Sequence, residues 1–145
     1  MMKTILFVCT GNTCRSPMAA CMMERILQEN GLTGWKADSA GVAAWDGQPA
    51  SAGAQNAMAA QGLSLAGHRS KSVTEALLHK AQLVVCVGPS HAAALTARFP
   101  HLPPVRCFAP AIPDPFGGTD AEYRACAAAM RSQLEAIAAG LAPMV

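Results

Sequence analysis

One segment near the N-terminus joins an apolar run, a polar loop and a helix start: Ile5-Leu-Phe-Val-Cys9-Thr-Gly-Asn-Thr-Cys-Arg15-Ser-Pro17. Ile5–Cys9 is short, apolar and rich in residues that favour strands, which predicts a buried central strand of a parallel sheet. Ser16 and Pro17 predict the opening of a helix, with serine as the N-cap and proline at the first helical position. The segment therefore predicts a strand–loop–helix unit with Cys9 at the carboxyl end of the strand.

The rest of the chain alternates between helix and strand patterns. The predicted helices cover Met18–Glu29 (ended by Asn30-Gly31), Ser51–Gln61, Val73–His79, Ser90–Phe99 and, after a capping box of Thr119 and Glu122, a stretch to about Leu141. The later strands are predicted at Trp35–Ala40, Leu83–Val87 and Val105–Phe108. This order predicts an α/β fold with a parallel sheet between two layers of helices, and with ligands bound beyond the carboxyl ends of the strands.

Composition excludes several classes of protein. The chain has 145 residues and a mass of 15.0 kDa, which suits one domain over residues 1–145. It is 52% hydrophobic and 14% charged, so an intrinsically disordered chain is excluded. The net charge of +2 and the lack of a basic block argue against a nucleic-acid partner. No apolar run approaches the roughly 20 residues of a membrane span, so we expect a cytoplasmic protein without a membrane partner.

The cysteines do not form a metal-binding pattern. They are Cys9, Cys14, Cys21, Cys86, Cys107 and Cys126. No paired C-x-x-C clusters occur, and a chain of this size and apolar content needs no disulfide framework. We therefore expect reduced thiols and no structural metal.

The loop after the first predicted strand combines groups that bind an oxyanion. Its backbone N–H groups can converge on an anion, and the following helix N-terminus adds unpaired donors and a positive dipole end. Arg15 offers a planar fork for two phosphate oxygens. The same positive field is expected to stabilise a Cys9 thiolate, to which Ser16 can donate a hydrogen bond. The alternative is a cysteine that merely fills a buried strand.

A second candidate lies in the proline-rich loop Pro110–Gly118. Hydrolysis of a phosphate ester or phosphoramidate requires a proton for the leaving group. Asp114 can supply that proton, and Pro113 and Pro115 would hold it stiffly. The alternative is that Asp114-Pro115 is simply a turn.

Three motifs together resemble the low-molecular-weight protein tyrosine phosphatases. They are Val-Cys-Thr-Gly-Asn-Thr-Cys-Arg-Ser-Pro-Met-Ala at 8–19, Asp-Ser-Ala-Gly at 38–41 and Asp-Pro-Phe-Gly-Gly at 114–118, and the similarity covers essentially the whole chain. The resemblance implies a flavodoxin-like, three-layer α/β/α fold with a four-stranded parallel sheet. It also implies a two-step mechanism without metal or cofactor, a phosphorylated protein as substrate, and inorganic phosphate or another oxyanion bound in the site.

Roles follow from the resemblance by position. Cys9 attacks phosphorus and forms a cysteinyl-phosphate, while Asp114 protonates the leaving group and then activates water. The phosphate oxygens are held by a loop consisting of Thr10, Gly11, Asn12, Thr13, Cys14 and Arg15. Asn12 matches an asparagine with a left-handed backbone that braces the loop. The supporting hydrogen bonds are assigned to Ser16, Ser39 and His68, although His68 has the alternative of a solvated loop histidine.

Cys14 is expected to protect the nucleophile from oxidation. It follows Cys9 by five residues on a tight loop, and a reactive thiolate is the thiol most open to oxidation. A Cys9–Cys14 disulfide would stop that oxidation at a reversible stage.

The substrate depends on the residues around the loop. Tyrosine phosphatases of this family commonly carry Ile or Leu at the position of Thr13, whereas the bacterial protein arginine phosphatases, which resemble this sequence more closely, carry Thr. The Thr13 hydroxyl can meet a guanidinium, and Phe116 is expected to form a pocket wall. Trp45 matches an aromatic residue that stacks on a substrate ring, with a half-buried loop anchor as its alternative. Phosphotyrosine is the class-level prediction and phosphoarginine the competing one.

Two other classes of function remain open. Arsenate reductases share the fold and the loop but relay a disulfide through two further cysteines. Cys86 could serve as one, but residues 87–96 contain no near partner and Cys107 lies on another predicted strand. A non-enzymatic anion-binding module would lack the nucleophile, the arginine or the acid, and all three are present.

Overall fold

The computed structural model describes residues 2–141 as alternating strands and helices. The strands are β1 (Lys3–Cys9), β2 (Trp35–Gly41), β3 (Ala81–Cys86) and β4 (Val105–Cys107). The helices are α1 (Arg15–Glu29), α2 (Ala52–Ala59), α3 (Glu75–Lys80), α4 (Pro89–Arg98) and α5 (Asp120–Leu141). The strands are parallel and lie in the order β2-β1-β3-β4, which confirms the predicted flavodoxin-like α/β fold and its element order.

Each face of the sheet has its own apolar core because side chains alternate along a strand. Ile5, Phe7 and Cys9 of β1 share one core with α1, α2 and α5, to which Met18, Met22, Met58, Met130 and Leu134 contribute. Leu6 and Val8 belong to the opposite core with α3 and α4, to which Val84, Cys86, Leu78 and Leu95 contribute. Cys9 therefore ends β1 on the side that faces α1.

The start of α1 differs from the prediction. The helix begins at Arg15 with Cys14 as its N-cap, so the predicted N-cap role of Ser16 is wrong. The physical reason is that the Ser16 hydroxyl contacts the Cys9 thiol and accepts a hydrogen bond from Asn12. Pro17 is the third residue of the helix rather than the predicted first, but it still lies in the first turn, where a helix has no need of its N–H.

Other boundaries move by one or two residues. Ser51 lies outside α2 as its N-cap, accepting from the Ala54 amide at 3.3 Å. Thr74 likewise caps α3, so Val73 is not helical. Strand β3 runs earlier than predicted, from Ala81 to Cys86, because it pairs with β1 along that length. The remaining shifts are at α4, which starts at Pro89, and at β2 and β4, which end at Gly41 and Cys107.

The predicted capping box at the start of α5 is confirmed. The Glu122 amide donates to Thr119 Oγ1 at 3.2 Å, and the Thr119 amide donates back to Glu122 Oε1 at 3.3 Å. This reciprocal pair satisfies two backbone donors that the helix itself leaves unpaired.

Gly41 allows β2 to approach the loop that follows β1. A Cβ on this residue would collide with the Thr10 carbonyl oxygen and lie 3.1 Å from the Asn12 amide nitrogen. The close approach explains why a glycine ends the motif at 38–41. Within residues 2–141, no helix is both long and apolar enough to cross a membrane.

Candidate active site

The loop between β1 and α1 turns its carbonyl groups outward. The carbonyls of Cys9 and Thr10 accept from the amides of Val42 and Ala43 at 2.9 and 3.0 Å. The Thr13 carbonyl accepts from the Ser51 amide at 2.9 Å. Because neighbouring segments take up the carbonyls, the amide groups of the loop are free to face the interior of the loop, where an anion can bind.

Cys9 lies at the bottom of this loop with its thiol almost fully enclosed, at 2% exposure. Its Sγ lies 2.8 Å from Ser16 Oγ and accepts from the Asn12 amide at 3.3 Å. Burial raises the pKa of the Cys9 thiol, and the contacts with Ser16 and Asn12 and the charge of Arg15 offset this only in part. Burial therefore outweighs the positive field that was expected to stabilise the Cys9 thiolate, because the sulfur is shielded from water. The groups that stabilise the thiolate are nevertheless in place.

Asn12 links the loop to three neighbouring segments. It is buried, has a left-handed backbone with φ of 58°, and donates from Nδ2 to Ser16 Oγ at 2.9 Å and Ser39 Oγ at 3.0 Å. Its Oδ1 accepts from the Lys71 amide at 2.9 Å, and its carbonyl accepts from His68 Nε2 at 2.7 Å. The half-buried His68 is thus bonded to the loop, and the alternative of a solvated loop histidine is wrong.

Arg15 is enclosed beside the same loop, with its side chain 10% exposed. Its Nη1 donates to the Ile112 carbonyl at 3.0 Å, and its Nη2 donates to Thr10 Oγ1 at 3.5 Å. Nη2 also lies 3.8 Å from Asp114 Oδ2. The guanidinium therefore connects the loop to the segment that carries the candidate acid.

Asp114 stands at the rim, with 53% of its side chain exposed. Its Oδ1 accepts from the Phe116 amide at 3.1 Å, which closes a short turn. The sequence leaves Asp114 open as either a turn residue or an acid; the structure contains the turn and also brings Oδ2 to 3.8 Å from Arg15 Nη2. An exposed carboxyl at the mouth of a site can exchange protons with water.

A cavity of about 200 Å³ is enclosed by residues 9–15, Asp114 and Phe116. Its floor is Cys9, and its walls supply the loop amides and Arg15. Within residues 2–141, His, Cys, Asp and Glu side chains do not form any group of three or more suited to a metal ion. The cavity suits a tetrahedral oxyanion whose remaining substituent points outward past Asp114.

The predicted pocket residues differ in their placement. Thr13 and Phe116 both line the cavity, and Phe116 is 74% exposed at its rim. Trp45 does not line it, and its indole is 83% exposed. The half-buried alternative for Trp45 is therefore wrong, and the backbone carbonyl of Trp45 accepts a hydrogen bond from Ser70 Oγ.

Cys14 lines the cavity but points towards two hydroxyl groups. Its Sγ lies 3.3 Å from both Ser51 Oγ and Tyr123 Oη. Burial raises the pKa of Tyr123 to about 12, so its hydroxyl stays protonated at neutral pH. Sequence reasoning did not connect Ser51 or Tyr123 with the site, because they are 37 and 109 residues from Cys14.

Cys86 is not placed to relay a disulfide from Cys9. It lies in the core on the opposite face of the sheet, and burial raises its pKa to about 12. Its partners in register are Val8 on β1 and Cys107 on β4, and neither belongs to the loop. The arsenate reductase alternative thus lacks its relay.

His91 is a further residue that sequence reasoning missed. Its Nε2 lies 3.0 Å from Thr10 Oγ1 although 81 residues separate the two positions. The sequence offered only one signal, a histidine in the first turn of a helix that follows a strand of the parallel sheet.

The fold and this site define a class of α/β phosphatases that work through a cysteine in a phosphate-binding loop. The family model described as low molecular weight phosphotyrosine protein phosphatase matches residues 4–144. The chain belongs to this family of hydrolases.

Relatives carry two different names. The protein-arginine-phosphatase of Geobacillus stearothermophilus is 37% identical over 141 residues, covering 92% of this chain and 89% of that protein. The probable low molecular weight protein-tyrosine-phosphatase EpsP of Ralstonia solanacearum is 38% identical over 100 residues, covering 69% of this chain and 66% of that protein. A solved YwlE arginine phosphatase with a phosphorylated active-site serine in place of cysteine has a TM-score of 0.90, is 31% identical and covers 95% of each chain.

Proposed function

We propose that the protein hydrolyses phosphorylated protein side chains through a cysteinyl-phosphate intermediate. The observation that carries the proposal is the Cys9 thiol on the floor of a cavity walled by the loop and Arg15. A phosphoryl group in this cavity has its phosphorus towards Cys9 and its leaving group towards Asp114. The phosphorylated active-site serine of the YwlE structure supports a covalent intermediate at this position.

In the first step Cys9 Sγ, which has lost its proton to solvent, attacks phosphorus as a thiolate, and the bond between phosphorus and the leaving group breaks. Asp114 donates its proton to the departing oxygen or nitrogen, so the leaving group departs neutral. Arg15 and the loop amides stabilise the charge on the equatorial oxygens. In the second step Asp114 takes a proton from water, the water oxygen attacks phosphorus, and Cys9 departs as a thiolate with release of inorganic phosphate.

Phosphotyrosine is the class-level substrate, in keeping with the family. A phenyl ring would leave the cavity past Phe116, whose exposed side chain offers apolar contact at the rim. Cys9 and Arg15 act on the phosphoryl group, which is the same in both substrates. The residues at the rim of the cavity therefore determine whether a phenolic or a guanidinium leaving group is preferred.

Phosphoarginine is the second candidate, and Thr13 favours it. Thr13 lines the cavity with a hydroxyl that can accept from a guanidinium N–H. Trp45, the residue expected to stack on a phenyl ring, does not line the cavity. The arginine phosphatase relative also covers more of this chain than EpsP does.

Side-by-side kinetics on matched phosphotyrosine and phosphoarginine peptides test both the proposed phosphatase reaction and the proposed substrate. We expect turnover of at least one peptide, and Cys9→Ser should abolish turnover while leaving vanadate or phosphate binding measurable. A Cys9→Ser protein with normal turnover would refute the mechanism. The ratio of kcat/KM for the two peptides assigns the substrate.

A further inference from the structure

His91 is buried against the loop although the proposed mechanism gives it no task. The residue is 4% exposed, and its Nε2 lies 3.0 Å from Thr10 Oγ1. The other ring nitrogen, Nδ1, is also buried and has no hydrogen-bond partner within residues 2–141. The backbone of Gly88 also acts on the ring, but the Thr10 hydroxyl is the side-chain group that reaches it, and this contact of a buried imidazole with the loop points to a role.

Thr10 Oγ1 stands between His91 and Arg15. Arg15 Nη2 lies 3.5 Å from this oxygen and can only donate to it. The Thr10 hydroxyl can then donate its own proton, and His91 Nε2 in its unprotonated form is an acceptor within reach. In this arrangement the imidazole proton lies on Nδ1. Arg15 donates to the Thr10 hydroxyl, which in turn donates to His91 Nε2.

The surroundings of His91 keep its imidazole neutral, which is the form that can accept the Thr10 hydroxyl proton. Burial and then the charge of Arg15 lower the pKa of His91, so the ring is neutral at neutral pH. The other terminal nitrogen of Arg15 is held by the Ile112 carbonyl at 3.0 Å. Each end of the guanidinium fork therefore has an acceptor, and the acceptor on the Thr10 side is oriented by His91.

We propose that His91 is a positioning residue of the phosphate clamp. By accepting the Thr10 hydroxyl proton, it turns an oxygen lone pair towards Arg15 and holds the guanidinium beside the loop. The inference rests on the proposed function, because it concerns the same site.

The test is a double-mutant cycle of His91→Leu and Thr10→Val, with His91→Gln as the conservative variant. The readouts are kcat/KM for para-nitrophenyl phosphate and the inhibition constant of inorganic phosphate. His101→Leu is the control, because this exposed histidine lines a separate cavity with His79 and Glu75. We expect His91→Leu to lower kcat/KM about 3- to 10-fold and to weaken phosphate binding by a similar factor.

Coupling distinguishes positioning from a merely structural role. The double variant should lose no more than Thr10→Val alone, and His91→Gln should retain most activity because its amide reaches the Nε2 position. Additive losses, or a His91→Leu protein equal to wild type, would overturn the inference. If His91→Leu does not fold, His91→Gln is compared with His91→Asn, whose amide is too short, and equal activities overturn the inference. A wild-type protein with neither phosphatase activity nor phosphate binding would instead refute the proposed function.

Discussion

Asn12 Nδ2 donates to Ser39 Oγ at 3.0 Å and thereby joins the loop after β1 to β2, 27 residues away. The same amide group donates to Ser16, and the side-chain oxygen accepts from Lys71. Loss of these buried bonds leaves their partners unsatisfied, and a β-carbon-bearing residue without a local polar group is strained at a φ of 58°.

We therefore expect Asn12→Ala to lower the free energy of unfolding by about 2–4 kcal/mol. Denaturant unfolding measures the loss. Asn12→Gly is the matched variant, because glycine accepts the left-handed backbone while it also lacks the side-chain bonds. Asn12→Gly should be the more stable of the two by about 1 kcal/mol. Equal stabilities would show that the backbone conformation contributes nothing.

Arg15→Lys should lose most activity, because a point charge cannot replace two terminal nitrogens with fixed directions. We expect kcat/KM for para-nitrophenyl phosphate to fall by roughly 10²–10³. Arg106→Lys, at an exposed position of β4, is the control and should behave as wild type. Retention of more than a tenth of the activity by Arg15→Lys would argue that charge alone suffices.

Asp114→Asn should depend on the leaving group. Phenyl phosphate needs its leaving oxygen protonated, whereas para-nitrophenolate departs readily without a proton. We expect a loss of about 10²–10⁴ for phenyl phosphate and a much smaller loss for para-nitrophenyl phosphate. Equal losses on both esters would instead assign Asp114 to the turn that its Oδ1 closes with the Phe116 amide.

Cys14 should make oxidation of Cys9 reversible. Peroxide converts the Cys9 thiolate to a sulfenic acid, and attack by Cys14 then releases water and forms the disulfide. After mild peroxide treatment, the wild type and Cys107→Ser should regain activity with dithiothreitol, while Cys14→Ser should regain less, because its sulfenic acid is open to further oxidation to the irreversible sulfinic and sulfonic acids. Peptide mapping that finds Cys9 as sulfonic acid in the wild type would contradict the prediction.

Thr13→Ile should shift substrate preference towards phosphotyrosine. Isoleucine removes the hydroxyl that can meet a guanidinium and adds apolar contact for a phenyl ring. Since one altered pocket contact is worth roughly 1–3 kcal/mol, the phosphotyrosine-to-phosphoarginine ratio of kcat/KM should rise about 10-fold or more. Thr96→Ile, on the exposed side of α4, should leave the ratio unchanged. An unchanged ratio for Thr13→Ile would show that Thr13 does not determine the substrate preference.

The local part of this molecule was predictable from the sequence. Apolar runs and turn residues gave the order of elements, and the capping box of Thr119 and Glu122 forms as expected, because such signals act between near neighbours. Ser16 was misassigned because two uses compete for one hydroxyl, and its contact with Cys9 prevails over capping.

Long-range partners could not be predicted in the same way. The contacts of Cys14 with Tyr123 and of Thr10 with His91 depend on how α5 and α4 pack, and no local pattern encodes that packing. The exposure of Trp45 has a similar cause, since the hydrogen bond from the segment around Ser70 reaches its backbone carbonyl and leaves the indole in solvent. The net effect on the pKa of Cys9 was missed because burial cannot be read from the loop sequence.

The outward-turned carbonyls of the loop affect how the last product is released from the site. Amides of Val42, Ala43 and Ser51 already hold the carbonyls of Cys9, Thr10 and Thr13, so little conformational entropy remains to be lost when an oxyanion arrives. A rigid cradle of this kind binds a bare tetrahedral ion almost as readily as the phosphoryl group of a protein. Under the proposed function inorganic phosphate is the second product, and we expect it to compete with substrate for the same site, so that its concentration limits the share of enzyme available for turnover.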